Sequence, residues 1–508
     1  MDIPMDSSLQ DMISVHARDH ASSVALSGDH MAVSYYELDV LIKEWAEKLE
    51  GQVIGLMLDN SPAWICLDLA ARRCGITCVP LPVFFSDEQI RHVIRTAAVD
   101  CLITDQPGRI EDIISNEATH LESLAGTSIY LYSLSPLPKD KHDNAVSKIT
   151  FTSGTTGSPK GVCLEAENLD RVALAMCEAS SATAADHMLS LLPLSTLLEN
   201  IAVYAGLMAG GCIHLPSLQK TGVSMTGLDA KKLCKILSMV QPNVIVIVPE
   251  ILRLLVVASD AGWQAPATLR FIAVGGASVS PVLLEKAGKQ GLAVYQGYGL
   301  SEAASVVCLN KPGANRPGSV GKPLSHLQVL ISKDGEVLVK GGLFCGYLNE
   351  PGLTMTGQNI SDHNHKLWPT GDLGYLDKEG YLYLQGRKKN VLVSSFGRNI
   401  SPEWVESELT AEPLVTQAIV FGDSRPYNIA LLVPAPGVDI KLVSGAVERA
   451  NRRLPDYAQI KQFHFCERPF LSSANEITVN GRLRRNVIEK NYQDQIKQLY
   501  KEDEYAVL

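Results

Sequence analysis

A chain of 508 residues exceeds what one hydrophobic core can serve, so two to four domains are expected. Hydrophobic residues make up 46% and charged residues 20%, which excludes extended disorder and leaves material for sizeable cores. The net charge of −10 argues against nucleic acid as a partner, because neutralising phosphates needs a basic face.

The N-terminus, MDIPMDSSLQD, is acidic and has no apolar run, so it does not read as a secretory signal. QVIGLML (52–58) predicts a strand and AWICLDLAARRC (63–74) a helix. CVPL, SDEQIRHVIRTA and DCLITD continue as strand, helix and strand. KITFTS, MLSLLPL, CIHLP, NVIVIVP, FIAVGG and AVYQGYG predict further strands, most of them separated by helix-length segments. Short apolar runs without strict alternation fit parallel strands buried on both faces, and the helical spacers imply βαβ crossovers. The most hydrophobic window, NVIVIVPEILRLLVVAS, is broken by Pro249, Glu250 and Arg253. It falls short of the roughly 20 uncharged residues that a membrane span needs, so it predicts a buried strand followed by a helix. A cytoplasmic protein with at most peripheral membrane contact is expected.

From about Gly318 the turns DGEV, KGG, LNEPG and DKEGYLYLQGR predict antiparallel hairpins. After GRKKN the pattern becomes a smaller α+β unit. The expected fold class is therefore α/β. A large N-terminal domain (1–387) holds parallel-sheet βαβ subdomains and a small antiparallel β subdomain. A small mobile α+β C-terminal domain (388–508) follows, with the boundary in the charged stretch Arg387–Asn390. The 11 cysteines are scattered without a C-x-x-C pair, so they read as free buried thiols of a reducing compartment rather than metal ligands.

The stretch FTSGTTGSPKG (151–161) is nearly all glycine and small hydroxyl residues and closes on a lysine. Glycines let backbone N–H groups approach an anion, hydroxyls add donors, and the lysine adds a point charge. That chemistry suits a polyphosphate, although no Gly-Lys-Ser/Thr stands in the register of a Walker A loop. The loop directly follows a predicted strand, as do the glycines of FIAVGGAS and AVYQGYGLSE. Ligands of parallel sheets bind at such strand exits. The three are expected to share one sheet.

In order and spacing, FTSGTTGSPKGV, VGGAS (274–278), YQGYGLSE (295–302), GSVGKPL (318–324), TGDLGYLDKEGYLYLQGRKKN (370–390) and NGRLRRNVI (480–488) resemble the adenylate-forming superfamily. This superfamily comprises acyl-CoA synthetases, peptide-synthetase adenylation domains and luciferases. LPLSTLLEN and SFGRNISPEWVE look most like its long-chain acyl-CoA synthetase branch. The resemblance implies a reaction in two halves. A carboxylic acid attacks the α-phosphate of ATP to give acyl-AMP and pyrophosphate, and a thiol then displaces AMP. ATP and Mg²⁺ are the implied cofactors. Coenzyme A, or the phosphopantetheine of a separate carrier protein, is the implied acceptor, because no carrier-domain motif ends the chain. Transfer to an amine is the further alternative.

On this resemblance Thr152, Ser153, Gly154, Thr155, Thr156, Gly157 and Lys160 hold the β- and γ-phosphates. Gly275, Gly276 and Ala277 form one wall against adenine, and Tyr298, within Gln296, Gly297, Tyr298 and Gly299, stacks on the other face. Ser301 reaches the α-phosphate and Glu302 ligates Mg²⁺. Asp372 accepts both ribose hydroxyls; the flanking TGD and GR make a plain turn-forming role for it the weaker reading. Arg387 reaches ribose or phosphate, Lys389 is the hinge, and Gly397 faces the thiol tunnel. Leu197, Ile201 and Tyr204 line the acyl pocket.

Two positions depart from the pattern. Thr196 stands where the long-chain branch has histidine near the acyl carboxylate; its hydroxyl donates a hydrogen bond but carries no charge. Arg482 stands where the superfamily has the lysine that bridges carboxylate and α-phosphate. Three readings follow: Arg482 acts itself, which is favoured, Arg484 or Arg485 shares the task, or adenylation is weakened and the chain is a nucleotide-binding homologue.

Overall fold

The computed structural model describes residues 7–114, 118–134, 145–152, 159–224, 227–348, 367–393, 398–471, 474, 476–477 and 483–501. Two large mixed sheets form the N-terminal part. In the nine-stranded sheet, six strands run parallel, in the order Val294–Tyr298, Phe271–Val274, Val244–Ile247, His187–Leu189, Cys212–Leu215 and Val24–Gly28. Antiparallel strands close its two edges. In the eight-stranded sheet, Val146–Thr152, Thr77–Pro80, Val53–Met57 and Cys101–Thr104 are parallel. Antiparallel pairs flank them, including the hairpin His120–Leu124/Thr127–Ser133, which the sequence reading missed.

The predicted strand exits are thus divided between the sheets. FIAVGG and AVYQGYG end adjacent strands of the nine-stranded sheet, whereas KITFTS belongs to the eight-stranded one. Val146–Thr152 also pairs antiparallel with Lys160–Glu165, so the glycine-rich loop joins two hairpin strands rather than a strand and a crossover helix. MLSLLPL shrinks to a three-residue strand, His187–Leu189, followed by an irregular segment.

Local sequence explains the helix starts. Ser86 and Gln89 exchange backbone and side-chain hydrogen bonds as a capping box, beginning the helix Asp87–Ala97. Ser61 caps Pro62–Arg73, with proline at the position where a missing N–H costs nothing. That helix is buried from Pro62 through Ala71 because it touches strands of both sheets. Ala166–Ser180 and Leu197–Met208 are buried nearly all round beside it, within one continuous apolar core.

Gln328–Ile331, Glu336–Lys340, Leu367–Leu376 and Leu382–Arg387 form the antiparallel four-stranded sheet. The C-terminal part has its own cores around a three-stranded sheet, Val415–Phe421, Asn428–Pro434 and Ile460–Phe465. The helices Pro402–Thr410 and Ile440–Arg453 pack with it. Among the described residues, no helix is long and apolar enough to cross a membrane. All 11 cysteines are free, but not all are buried: Cys74, at a helix end, is exposed, and four others are half-buried.

Candidate active site

A single cleft of about 3730 Å³ gathers most of the expected site. Its lining includes Thr152, Lys160, Thr196, Gly275, Gly276, Ala277, Gln296, Gly297, Tyr298, Gly299, Ser301, Glu302, Asp372, Arg387 and Lys389. The cleft extends to Arg468, Arg484 and Arg485 of the C-terminal part. Ser153, Gly154, Thr155, Thr156, Gly157, Gly397 and Arg482 lie outside the described residues.

The two glycine exits have different local causes. Gly276 has φ +87°, a left-handed conformation that a side chain would strain, although a Cβ there would meet only ordinary van der Waals contact, Val248 Cγ1 at 3.7 Å. Gly299 is fixed by close approach, since a Cβ there would lie 1.5 Å from the Ser305 carbonyl oxygen. The chain then makes a short 3₁₀ turn, Ser301–Ala303, and passes through two left-handed non-glycine residues, Ala304 (φ 51°) and Ser305 (φ 100°). Strain of this kind concentrates where a fold must aim particular side chains. Here it sits directly behind Ser301 and Glu302. Composition alone gave no sign of it.

The Tyr298 hydroxyl donates to Asp372 Oδ2 at 2.6 Å, and Arg387 Nε pairs with Asp372 Oδ1 at 2.9 Å. Burial, then the Asp372 charge, pushes the Tyr298 phenol well above its ordinary range, so it remains a donor. The turn-forming alternative for Asp372, already the weaker reading, falls away. The residue lies 7% exposed on the strand Leu367–Leu376, directly opposite Arg387 on the next strand. Gly371 at φ +73° and the bulge after Leu373 give TGDLG the look of a turn.

Lys160 opens its strand opposite Thr152, with Nζ 5.3 Å from the centre of the Tyr347 ring. The Tyr347 hydroxyl donates to Glu302 Oε1 at 2.6 Å. Tyr347 pairs with Val162 on the Lys160 strand and packs edge-on to Phe344 and Trp368. The sequence reading passed over Tyr347. Its signal was weak, because GYLNE follows no obvious strand.

Thr196 precedes the helix Leu197–Met208 without capping it; its hydroxyl donates to the Pro193 carbonyl at 2.7 Å. The donor expected for the acid is thus committed to the backbone. Leu197 and Leu198 line the cleft, but Ile201 and Tyr204 do not. Both are fully buried, and the Tyr204 hydroxyl donates to Asp68 Oδ2 at 2.5 Å, so these two are corrected from pocket wall to core.

One turn beyond Thr196, Glu199 is completely buried, and neither carboxyl oxygen closes a full hydrogen bond. Burial pushes its carboxyl up to about 8, against the lowering pull of the Ser190 hydroxyl and the Leu191 and Leu192 amides. Because the folded state holds this proton more tightly than the unfolded chain, the stability it contributes is complete below about pH 4 and falls as pH rises towards 8. A shift from 4.5 to about 8 corresponds to roughly 4–5 kcal/mol in all. Denaturant midpoints between pH 5 and 9 are expected to decline steeply in the parent and much less in Glu199→Gln. Parallel curves would show that Glu199 is ionised in the fold.

The comparisons agree with this geometry. Residues 13–348 match the family model described as AMP-binding enzyme, and residues 389–504 that of the AMP-binding enzyme C-terminal domain. A long-chain-fatty-acid–CoA ligase, FadD15, of Mycobacterium bovis is 26% identical, with 87% of this chain and 86% of that protein aligned. A 2-succinylbenzoate–CoA ligase of Bacillus cereus is 29% identical over 78% of this chain and 83% of that protein. Among solved structures, the anthranilate CoA ligase AuaEII with anthranoyl-AMP superposes with a TM-score of 0.76 at 17% identity, covering 96% and 98% of the two chains. The strand exits, the cleft and the match over most of its length agree: this chain belongs to the AMP-binding enzyme family, the adenylate-forming superfamily.

Proposed function

We propose that the protein is an AMP-forming acid–thiol ligase that converts a medium- or long-chain carboxylic acid to acyl-AMP and passes the acyl group to coenzyme A. One observation carries this reading: two preset side-chain groups, Tyr298–Asp372–Arg387 and Lys160–Tyr347–Glu302, line the same cleft. The cleft is several times the roughly 300–1,000 Å³ of an ordinary ligand pocket, which gives room for nucleotide, acid and pantetheine arm.

In this reading the loop 153–157 with Thr152 and Lys160 takes the β- and γ-phosphates, and Lys160 neutralises departing pyrophosphate. Gly275, Gly276, Ala277 and the Tyr298 ring enclose adenine. Asp372, held by Tyr298 and Arg387, accepts from the ribose. Ser301 reaches the α-phosphate. Glu302 suits Mg²⁺, a hard ion that takes one or two carboxylates and leaves the rest of its shell to phosphate oxygens and water. The bound ion would offset charge on the phosphates. Tyr347 orients the Glu302 carboxylate through Oε1, and Glu302 would hold the ion.

Relatives act on acids as different as long-chain fatty acids, 2-succinylbenzoate and sulfoacetate. An aliphatic acid is favoured by the apolar wall that Leu197, Leu198, Val246, Val248 and Val274 contribute. Residues 388–508 form the mobile unit in this reading. Lys389, within the 3₁₀ turn Lys388–Asn390, is its hinge, and Gly397 lies by the thiol path.

Incubation with ATP, a graded series of fatty acids and coenzyme A, followed by mass spectrometry, tests the proposal. Acyl-CoA peaking at one chain length supports it, and acyl-AMP without acyl-CoA would redirect it to another acceptor. Arg482→Ala is expected to slow acyl-adenylate formation by tenfold or more, about 1.4 kcal/mol of transition-state stabilisation. Thioester formation from supplied acyl-AMP should persist. Unchanged adenylation would move the cationic role to Arg484 or Arg485.

A further inference from the structure

Far from the cleft, at the edge where the parallel strands of the nine-stranded sheet begin, three metal-ligating side chains meet. We propose that His187, Cys212 and His214 form a binding site for a borderline-soft divalent cation of the zinc class. Nδ1 of His187 lies 2.9 Å from Nε2 of His214, Sγ of Cys212 lies 3.7 Å from the same nitrogen, and all three atoms fall within 4.8 Å of one another.

Strand register brings them together. His187–Leu189 and Cys212–Leu215 are parallel neighbours, with His187 opposite Cys212 and Leu189 opposite His214. Side chains two apart on a strand share a face, and register partners share it too. Cys212 and His214 therefore stand beside each other and His187 beside both. The sequence hides this arrangement, because C-x-H is not a helical or knuckle spacing and its third member lies a whole crossover away. None of the three lines the cleft.

The spacing suits one small ion. Tetrahedral zinc, bound at about 2.0–2.1 Å to nitrogen and 2.3 Å to sulfur, separates its donors by roughly 3.3 Å for a nitrogen pair and 3.6 Å for nitrogen and sulfur. The present contacts bracket those lengths. A nitrogen and thiolate donor set favours zinc, cobalt, nickel or copper over the oxygen-seeking magnesium and calcium.

The backbone beneath the cluster is tied down. The His187 N–H donates to Asn243 Oδ1 at 2.7 Å, and the Asn243 N–H returns to the His187 carbonyl at 2.8 Å. The Cys212 N–H reaches the Asp186 carbonyl at 2.9 Å. Preset ligands lose less freedom on binding. The adjacent Asp186 carboxylate is taken by Arg270, whose Nη2 lies 2.5 Å away, so the fourth position falls to solvent beside exposed His187. On binding, the S–Zn bond replaces the Cys212 S–H bond and that proton leaves to buffer. The ion would clamp two neighbouring strands, which is a role in stability rather than in the chemistry of the cleft.

The test uses the full chain, stripped with chelator and then titrated separately with Zn²⁺ and Co²⁺. The parent is expected to bind one equivalent more than His187→Gln/Cys212→Ser and to show a cobalt–thiolate charge-transfer band that the variant lacks. Zn²⁺ should raise the parent's unfolding midpoint and leave the variant's unchanged. His187→Gln alone alters only an exposed side chain, so it should fold as the parent does and weaken Zn²⁺ at least tenfold. Equal stoichiometry in parent and double variant, a band that survives both substitutions, or unaltered Zn²⁺ affinity in His187→Gln would overturn the site. The 2.9 Å contact would then be a hydrogen bond between two imidazoles.

Discussion

Substituting Lys148 by methionine is expected to cost about 3–5 kcal/mol of folding stability, the range for removing one partner of a buried ion pair. Lys148 and Asp68 are 2% and 1% exposed and lie 2.9 Å apart. Nζ spends its remaining protons on Asn200 Oδ1 at 2.5 Å and the Tyr204 hydroxyl at 3.1 Å. Burial alone would discharge this lysine, but the Asp68 charge outweighs it and holds Lys148 protonated; Asp68 is correspondingly drawn down. Lys148 lies on the strand that leads into the glycine-rich loop, while Asn200 and Tyr204 lie on the helix after Thr196. The cluster therefore joins the two segments that would present phosphate and acid to each other. Chemical denaturation checks the loss. Asp68→Asn should cost a similar amount, and the double variant much less than the sum, since the two charges compensate each other. Additive losses would mean that the pair is not coupled.

Glu302→Gln is expected to lower the rate of acyl-adenylate formation on the order of 10²–10³-fold, as removal of a single preorganised charge-stabilising group does elsewhere. Glutamine still accepts from the Tyr347 hydroxyl, so the aromatic packing around Tyr347 and the unfolding midpoint should be unchanged. Raising Mg²⁺ should recover part of the loss, because the defect lies in ion binding. Burst measurements with a fatty acid and ATP at several Mg²⁺ concentrations separate the effects. A rate within a few-fold of the parent at low Mg²⁺ would remove Glu302 from the site.

Local pattern carried the elements well. QVIGLML, AWICLDLAARRC and SDEQIRHVIRTA became Val53–Met57, Pro62–Arg73 and Asp87–Ala97, because apolar spacing and serine caps act within a few residues. Long-range pairing was less legible. Nothing in KITFTS says which sheet receives it, and the reading placed all three glycine exits in one sheet when they occupy two. The strand under Asp372 was hidden for a related reason: a glycine at positive φ inside a strand has the composition of a turn. Ile201 and Tyr204 followed helical spacing towards a pocket, but a stripe on a helix buried all round cannot tell core from cavity wall. The buried ionisable groups Lys148, Asp68 and Glu199 escaped notice because each stands within or beside an apolar run and sequence pattern does not show which partners the fold brings to it. Of the motif residues, those described line one cleft, whereas the Tyr347 and Tyr298 hydrogen bonds to Glu302 and Asp372 required the fold.

Exchange of labelled pyrophosphate into ATP, measured with each acid of a chain-length series and without coenzyme A, tests the central claim most directly. Exchange should depend on the acid, require Mg²⁺ and collapse in Glu302→Gln. Bound ATP with no acid-dependent exchange anywhere in the series would contradict that claim.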